Sequence, residues 1–465
     1  SNSILSSEFP VLLNNSSPST ADLNNNSIID VVVGMRNGNV RAINGANGAT
    51  IWEKNVINTL PVISSSNTRY LFAPTAISSP AICDLNKDGV LEIVVGGGNF
   101  RAQFDRRLSQ RTIIISTSPS NVSVLDAATG TTLWKFPIDG AMLSAPVIAD
   151  IDNDGYEDII IIDTYFNNLQ YKQGQSNFEN VNIALINTIY AYSGRTRQRL
   201  FRISGTQIIV SPRLFAYRLS NSPYTPYIMI PSNSPAIEDL NGDGHLDIVW
   251  TSVDGNVYLI EDGAWNNQVL RNFSIPNITP SSPLGYIVSS PVIAQTDYLK
   301  DYKDILVSVI VNDRLRSYLV DSSNGAITQL NIQSNSNDLI SGNPVAHSPN
   351  GFHLRGPQMI VPGGQYLMIQ HLDLTHQVRG RITQTSSLTS SYGTPAIVEV
   401  NNYSTYQKKY DAFFFDCVLG AEDGKLYALA YRDTTQGDDN DNNSPPPNDS
   451  NKVDKLWEYP TGSPI

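Results

Sequence analysis

Asp150, Asp152, Asp154 and Asp158 stand at positions 1, 3, 5 and 9 of one acidic turn, with Gly155 at position 6 and Tyr156 at position 7. Four carboxylates so close in sequence repel one another unless a cation sits among them. Ca2+ suits the pattern, because it takes roughly six to eight oxygens in a flexible shell and accepts a backbone carbonyl at position 7. Mg2+ demands a stricter octahedron and keeps more of its water. Glycine at position 6 permits the sharp reversal. The spacing recurs at Asp22, Asn24, Asn26 and Asp30, at Asp84, Asn86, Asp88 and Glu92, and at Asp239, Asn241, Asp243 and Asp247. Ile28, Val90 and His245 offer the corresponding carbonyls. Asp, Asn and Gly also build plain hairpin turns, but four turns of one spacing, each after the same kind of strand, point to Ca2+ sites. Three are expected; the first turn is the weaker fourth, with Ser27 where the others have Gly89, Gly155 and Gly244. Further along, Lys300, Lys303, Lys408 and Lys409 occupy the corresponding regions, where a local cation replaces an ion.

The turns need strands to hold them. The last three lie between a short apolar segment opening on a small-Pro-apolar phrase and a second, nearly all-apolar run such as Ile159 to Ile162. The phrase recurs at Pro80, Pro146, Pro235, Pro291, Pro344, Pro395 and Pro464, with a minimum unit of about 50 residues, a propeller-blade period. A second phrase, a tight Asn or Asp to Gly turn followed by a strand carrying Trp52 or Trp134, and more loosely Trp457, reads as packing between blades. The expected fold is all-β: a seven-bladed β-propeller of four-stranded blades in a single domain spanning 1–465. Blade one runs from about 21 to 56, and blades two to seven start near 79, 145, 234, 290, 343 and 394. Because no Pro phrase is evident at the N-terminus, Gly462 to Ile465 are expected to supply the inner strand beside Asp30 to Gly34. That pairing would close the ring and remove exposed sheet edges.

Long insertions at Val56 to Ser78, Gly97 to Asn121, Asp163 to Asn187 and Gly205 to Asn233 fall on connections at the end of the blades away from the acidic turns. They carry Arg101, Arg106, Arg107, Arg111, Tyr165, Phe166, Tyr171, Phe215, Tyr217, Tyr224 and Tyr227, residue types favoured at interface hot spots. The expected ligand surface draws on Arg101, Arg106, Arg107, Tyr165, Tyr171, Tyr217 and Tyr224. Arg432 to Lys455, almost without apolar residues, reads as a disordered acidic loop.

Net charge is -12, from 31 basic and 43 acidic residues, which disfavours nucleic acid and anionic membranes as partners. No run approaches the ~20 apolar residues of a membrane span. Cys83 and Cys417 lie in apolar strands of different repeats and read as free thiols. The chain opens on Ser1 without Met, as an excised or mature segment would. His245, His347, His353, His371 and His376 form no HExxH spacing, and no G-x-S-x-G elbow or phosphate loop occurs.

The Pro-Ala-Ile, Asp-x-Asn-x-Asp-Gly and Asp/Glu-Ile-Val arrangement from Ala21 to Ile260 resembles the FG-GAP (integrin α, VCBS-type) repeat. The Trp phrase is similar to the docking repeats of quinoprotein-like propellers. The integrin-type resemblance implies a Ca2+-stiffened propeller, secreted or on a cell surface, binding a protein or glycan on the face opposite its metal loops. The alternative is an enzyme on the same scaffold, either a polysaccharide lyase or a quinone-dependent dehydrogenase.

Overall fold

The computed structural model describes residues 11–12, 16–35, 37–57, 63–64, 68–74, 78–105, 112–167, 169–172, 183–210, 216–217, 227–228, 233–261, 270–276, 278–279, 282–283, 285–287, 289–294, 302–311, 314–330, 345–347, 358–363, 366–371, 377–381, 396–398, 413–421, 425–433 and 452–460. They are all strand and turn, and among them there is no helix. The chain divides into two compact units, residues 1–239 with 243–291, and residues 240–242 with 292–465.

The first unit holds four antiparallel sheets of one plan. Sheet one is Ser19–Ala21, Asp30–Gly34, Asn39–Ile43 and Thr50–Asn55; sheet two is Ala81–Cys83, Glu92–Val95, Ser120–Asp126 and Thr132–Ile138. Sheet three is Val147–Ala149, Asp158–Asn167, Ile183–Ser193 and Arg199–Ser204; sheet four is Ala236–Glu238, Asp247–Thr251, Asn256–Ile260 and Leu270–Ser274. In each, consecutive strands are neighbours. In sheets two and four, and from Asp158 to Ile162 in sheet three, the second strand is buried on both faces, which is why it reads as an unbroken apolar run rather than an alternation. Ile93 and Val95 pack towards Val32 and Val40 of sheet one, while Val94 packs towards Ile159 and Ile161 of sheet three. Ile160 and Ile162 in turn meet Ile248 and Trp250 of sheet four. Successive meanders stacked face to face in chain order are blades, and the protein is of the β-propeller class. The second unit repeats the plan in Val292–Ala294 to Ile327–Leu330, Val345–His347 to Gln377–Arg381, and Ala396–Val398 to Lys452–Pro460.

The Pro phrase owes its recurrence to hydrogen bonds between blades. The Ser79 hydroxyl accepts the Ser17 N–H at 2.8 Å, and Ser19 Oγ donates to the Pro80 carbonyl at 2.5 Å. Ser234 donates its N–H to Ser290 Oγ and its hydroxyl to the Ala145 carbonyl. Small polar residues before the proline thus clasp one inner strand to the next. The Trp phrase has a comparable cause: Trp52 Nε1 donates to the Ala127 carbonyl at 2.9 Å in the turn of sheet two. Gly130, at φ +70°, leaves room for that indole, since a Cβ there would lie 2.7 Å from Trp52 Cδ2. Gly130→Ala is expected to destabilise the fold by about 2 kcal/mol through strain and overpacking. Denaturant unfolding checks it, and a wild-type midpoint would reject the packing role of Trp52.

Three expectations need correction. The place beside Asp30–Gly34 is filled by Ser19–Ala21, with Ser19 opposite Val32 and Ala21 opposite Asp30. Ser16-Ser17-Pro18 was therefore the missing phrase, concealed because Ser19 and Thr20 replace the usual apolar pair. Gly462 to Ile465 lie outside the described residues. Secondly, three insertions are more than connecting loops: Ile63–Ser64, Thr68–Pro74, Asn99–Asp105, Thr112–Ser118 and Leu169–Lys172 form one five-stranded sheet. Thirdly, the acidic loop is shorter at both ends, because Arg432 pairs with Lys452 within the last two strands of the seventh meander. Cys83 is a free, half-buried thiol pushed up to about 12, by burial first and then by Glu92, Glu157 and Asp84. Cys417 sits in the strand Phe413–Ala421.

Candidate metal centres

The four acidic turns share one backbone trace. Position 4 is left-handed in each, at Asn25 (φ 57°), Lys87 (57°), Asn153 (55°) and Gly242 (78°); so is position 6, at Ser27 (64°), Gly89 (86°), Gly155 (86°) and Gly244 (87°). Gly242 and the position-6 glycines take that shape at little cost, whereas Ser27 pays the strain of a Cβ there.

This trace curls the backbone N–H groups round the acidic side chains. In the third turn Asp150 Oδ1 accepts the Asp154 N–H at 3.1 Å and Oδ2 the Gly155 N–H at 2.8 Å, while Asp154 Oδ1 accepts the Tyr156 N–H at 2.9 Å. The second turn repeats these bonds with Asp84, Asp88, Gly89 and Val90. The first repeats them with Asp22, Asn26, Ser27 and Ile28. In the fourth, Gly244 donates to Asp239 and His245 to Asp243.

Position 9 is the buried floor of each turn: Asp30, Glu92, Asp158 and Asp247 are at most 3% exposed. Its carboxylate reaches back to the turn, accepting the Ile151 N–H at Asp158 and the Leu85 N–H at Glu92. Yet Asp158 Oδ1 and Asp30 Oδ2 are buried with no partner in hydrogen-bond geometry, although the Gly194 N–H also favours the Asp158 carboxylate. An orphaned carboxylate oxygen in an interior is costly. Asp150, Asp152 and Asp158 place ligand oxygens within 4.8 Å of one another. Burial, then Asp152, and less strongly Asp154, push the Asp158 carboxyl up to about 7 against the relief of the Ile151 N–H. Burial foremost likewise raises Asp152 and Glu92. The donor set, all hard oxygen, the orphaned atoms and the mutual repulsion fit a divalent cation of the Ca2+ kind. Asp150, Asp152, Asp154 and Asp158 with the Tyr156 carbonyl would hold it.

Some neighbours were invisible in the spacing. Arg195, in the turn between the last two strands of sheet three, lies 4.6 Å over the Tyr156 ring and 3.7 Å from Asp154 Oδ2. Asn153 and His245 join the third and fourth turns at 2.8 Å. In the fifth meander the position-9 acid survives: Asp304 pairs with Ala294 as Asp158 does with Ala149. By the same register Gln358 and Asp416 hold that place in the sixth and seventh.

Four of the expected ligand residues lie among the described residues. Arg101 and Tyr171 lie in the five-stranded insertion sheet, Arg101 opposite Ser116 and Tyr171 opposite Ile113. Tyr165 extends the second strand of sheet three, opposite Ile186, and Tyr217 pairs with Tyr227 in a separate small sheet. Arg106, Arg107, Arg111, Phe215 and Tyr224 lie outside the described residues.

Residues 36–152 match the family model described as outer membrane protein assembly factor BamB. Among solved structures, the chain is similar to the computationally designed Ika8 protein, with 10% identity, a TM-score of 0.45, and 99% of this chain and 91% of that one covered. It is similar to the C-terminal WD40 domain of Sif2 (12% identity, TM-score 0.42, 97% and 88% covered) and to BamB from Moraxella catarrhalis (12%, 0.33, 90% and 96%). No curated protein matches.

Proposed function

We propose that the protein is a non-enzymatic recognition module of FG-GAP type, a propeller scaffold stiffened by Ca2+ in three or four of its acidic turns. It works outside the cell or on its surface and presents its insertions to a protein or glycan. The observation that carries the reading is Asp158 Oδ1, buried and unpartnered beside Asp150 and Asp152. Extracellular Ca2+ near millimolar fills even sites with Kd on the order of 10^-4 to 10^-3 M. Propeller scaffolds host many functions, so the fold does not choose among them. The family model matched over residues 36–152 describes an assembly factor, which accords with a docking role. The quinone-dehydrogenase alternative shares the Trp phrase, but here Trp52 is spent on packing between sheets.

Elemental analysis after dialysis against Ca2+ is expected to give three to four ions per chain, with one lost in Asp158→Ala. Calcium-free protein, or a variant that keeps the full count, rejects the metal reading. A glycan array run in Ca2+ and in EDTA tests recognition: signals should vanish in EDTA. Unsaturated products released from acidic polysaccharides would show an enzyme instead.

A further inference from the structure

At the other end of the second strand of sheet three from its acidic turn, one hydroxyl stands between two carboxylates. Tyr190 Oη is 3.2 Å from Asp163 Oδ2 and 3.1 Å from Asp139 Oδ2. A phenol has one proton to give. Asp139 belongs to the connection from sheet two into sheet three, and its Oδ2 also accepts from Arg202 Nη2 at 2.5 Å. Asp163 Oδ2 accepts the Gly140 N–H at 2.8 Å from the same connection. The residue is fully buried, and its Oδ1 has no partner. The charges are unequally matched: Asp139 faces a guanidinium and solvent, whereas Asp163 faces a neutral phenol, the Gly140 and Asp139 N–H groups and the Asp139 carboxylate. Among the described residues Asp139, Tyr190 and Arg202 are the titratable groups of this cluster, with Arg199 acting on Asp139 from further out.

We infer that Asp163 is a proton-binding switch: protonated, it donates to Tyr190, which donates on to Asp139, and ionised, it accepts the Tyr190 hydroxyl's hydrogen bond and leaves Asp139 to Arg202 alone. No bond other than these hydrogen bonds changes, and the proton exchanges with water. In the protonated state the hydrogen bonds run unbroken from Asp163 through Tyr190 to Asp139 and Arg202. In the ionised state a full charge is buried among dipoles that do not neutralise it. Acid therefore tightens the junction between sheets two and three, opposite to its expected effect at a calcium turn, where protons compete with the ion.

Burial, opposed by the Gly140 N–H and Tyr190 and supported by Asp139, pushes Asp163 up to about 6. A group raised on folding contributes stability that is fully present below its unfolded pKa of about 4 and is lost as pH rises through the folded value. Melting temperatures of wild type, Asp163→Asn and Tyr190→Phe, measured from pH 4 to 7 in saturating Ca2+ and again in EDTA, test this. Wild type should lose ground against D163N by several degrees as pH rises, with a midpoint near 6 in both media. Tyr190→Phe, lacking the donor that favours the carboxylate, should move that midpoint upward. If D163N does not fold, the shift in Y190F alone decides. Parallel pH profiles for wild type and D163N, or a Y190F midpoint unchanged from wild type, overturn the inference.

Discussion

Removal of calcium is expected to lower the melting temperature by on the order of 10 °C. A ligand that binds only the folded state stabilises it by about 2.7 kcal/mol per site at a hundredfold excess over Kd, so three independent sites give roughly 8 kcal/mol. For a chain of this size each kcal/mol is worth about 1–2 °C. Bound ions would act on the sheets through position 9, because that carboxylate opens the second strand of its sheet and binds back to the turn. Differential scanning calorimetry in EDTA and in millimolar Ca2+ measures the shift, and Mg2+ at the same concentration should recover only a fraction of it. An unchanged melting temperature in protein shown by elemental analysis to have lost its ions would reject the stiffening role.

The acidic turns were legible because their geometry is local. Positions 1, 3, 5, 7 and 9 of one turn fix their own geometry, and the left-handed residues at positions 4 and 6 follow from that geometry whether Gly155 or Ser27 occupies the place. The apolar second strands were legible too, since burial on both faces leaves an uninterrupted run. What escaped was whatever depends on partners distant in the chain. Ser16-Ser17-Pro18 became recognisable only once Ser17 was seen bonded to Ser79. Strands drawn from three separate insertions join in one sheet, and nothing in Thr68–Pro74 or Asn99–Asp105 announces its partner. Asp163 had no repeated spacing to mark it: its company comes from Gly140 and Tyr190, one before and one after it in the chain.

Gly194 is a residue whose smallest enlargement should reach two acidic turns at once. It lies in the turn after the third strand of sheet three, and a Cβ there would collide with the Glu157 carbonyl and press on Leu85 O at 3.2 Å and Leu85 Cβ at 3.3 Å. Glu157 separates the position-7 carbonyl of the third acidic turn from its position-9 carboxylate, and Leu85 is position 2 of the second turn. The obstruction is backbone, which cannot rotate aside as a side chain would. Gly45 is set against Ile29 O in the same way in sheet one, whereas in sheet two Ala127 holds that place and donates its N–H to the Leu91 carbonyl at 3.0 Å. Overpacking commonly costs about 1–3 kcal/mol, and here displacement of the Tyr156 carbonyl and Asp158 adds the loss of an ion. Gly194→Ala is therefore expected to lower stability by at least ~3 kcal/mol in Ca2+, to bind one ion fewer, and to show a smaller cost in EDTA, where no ion remains to be lost. Equal destabilisation in the two media would mean that the glycine serves packing alone, and a wild-type calcium count would separate it from the metal turn altogether.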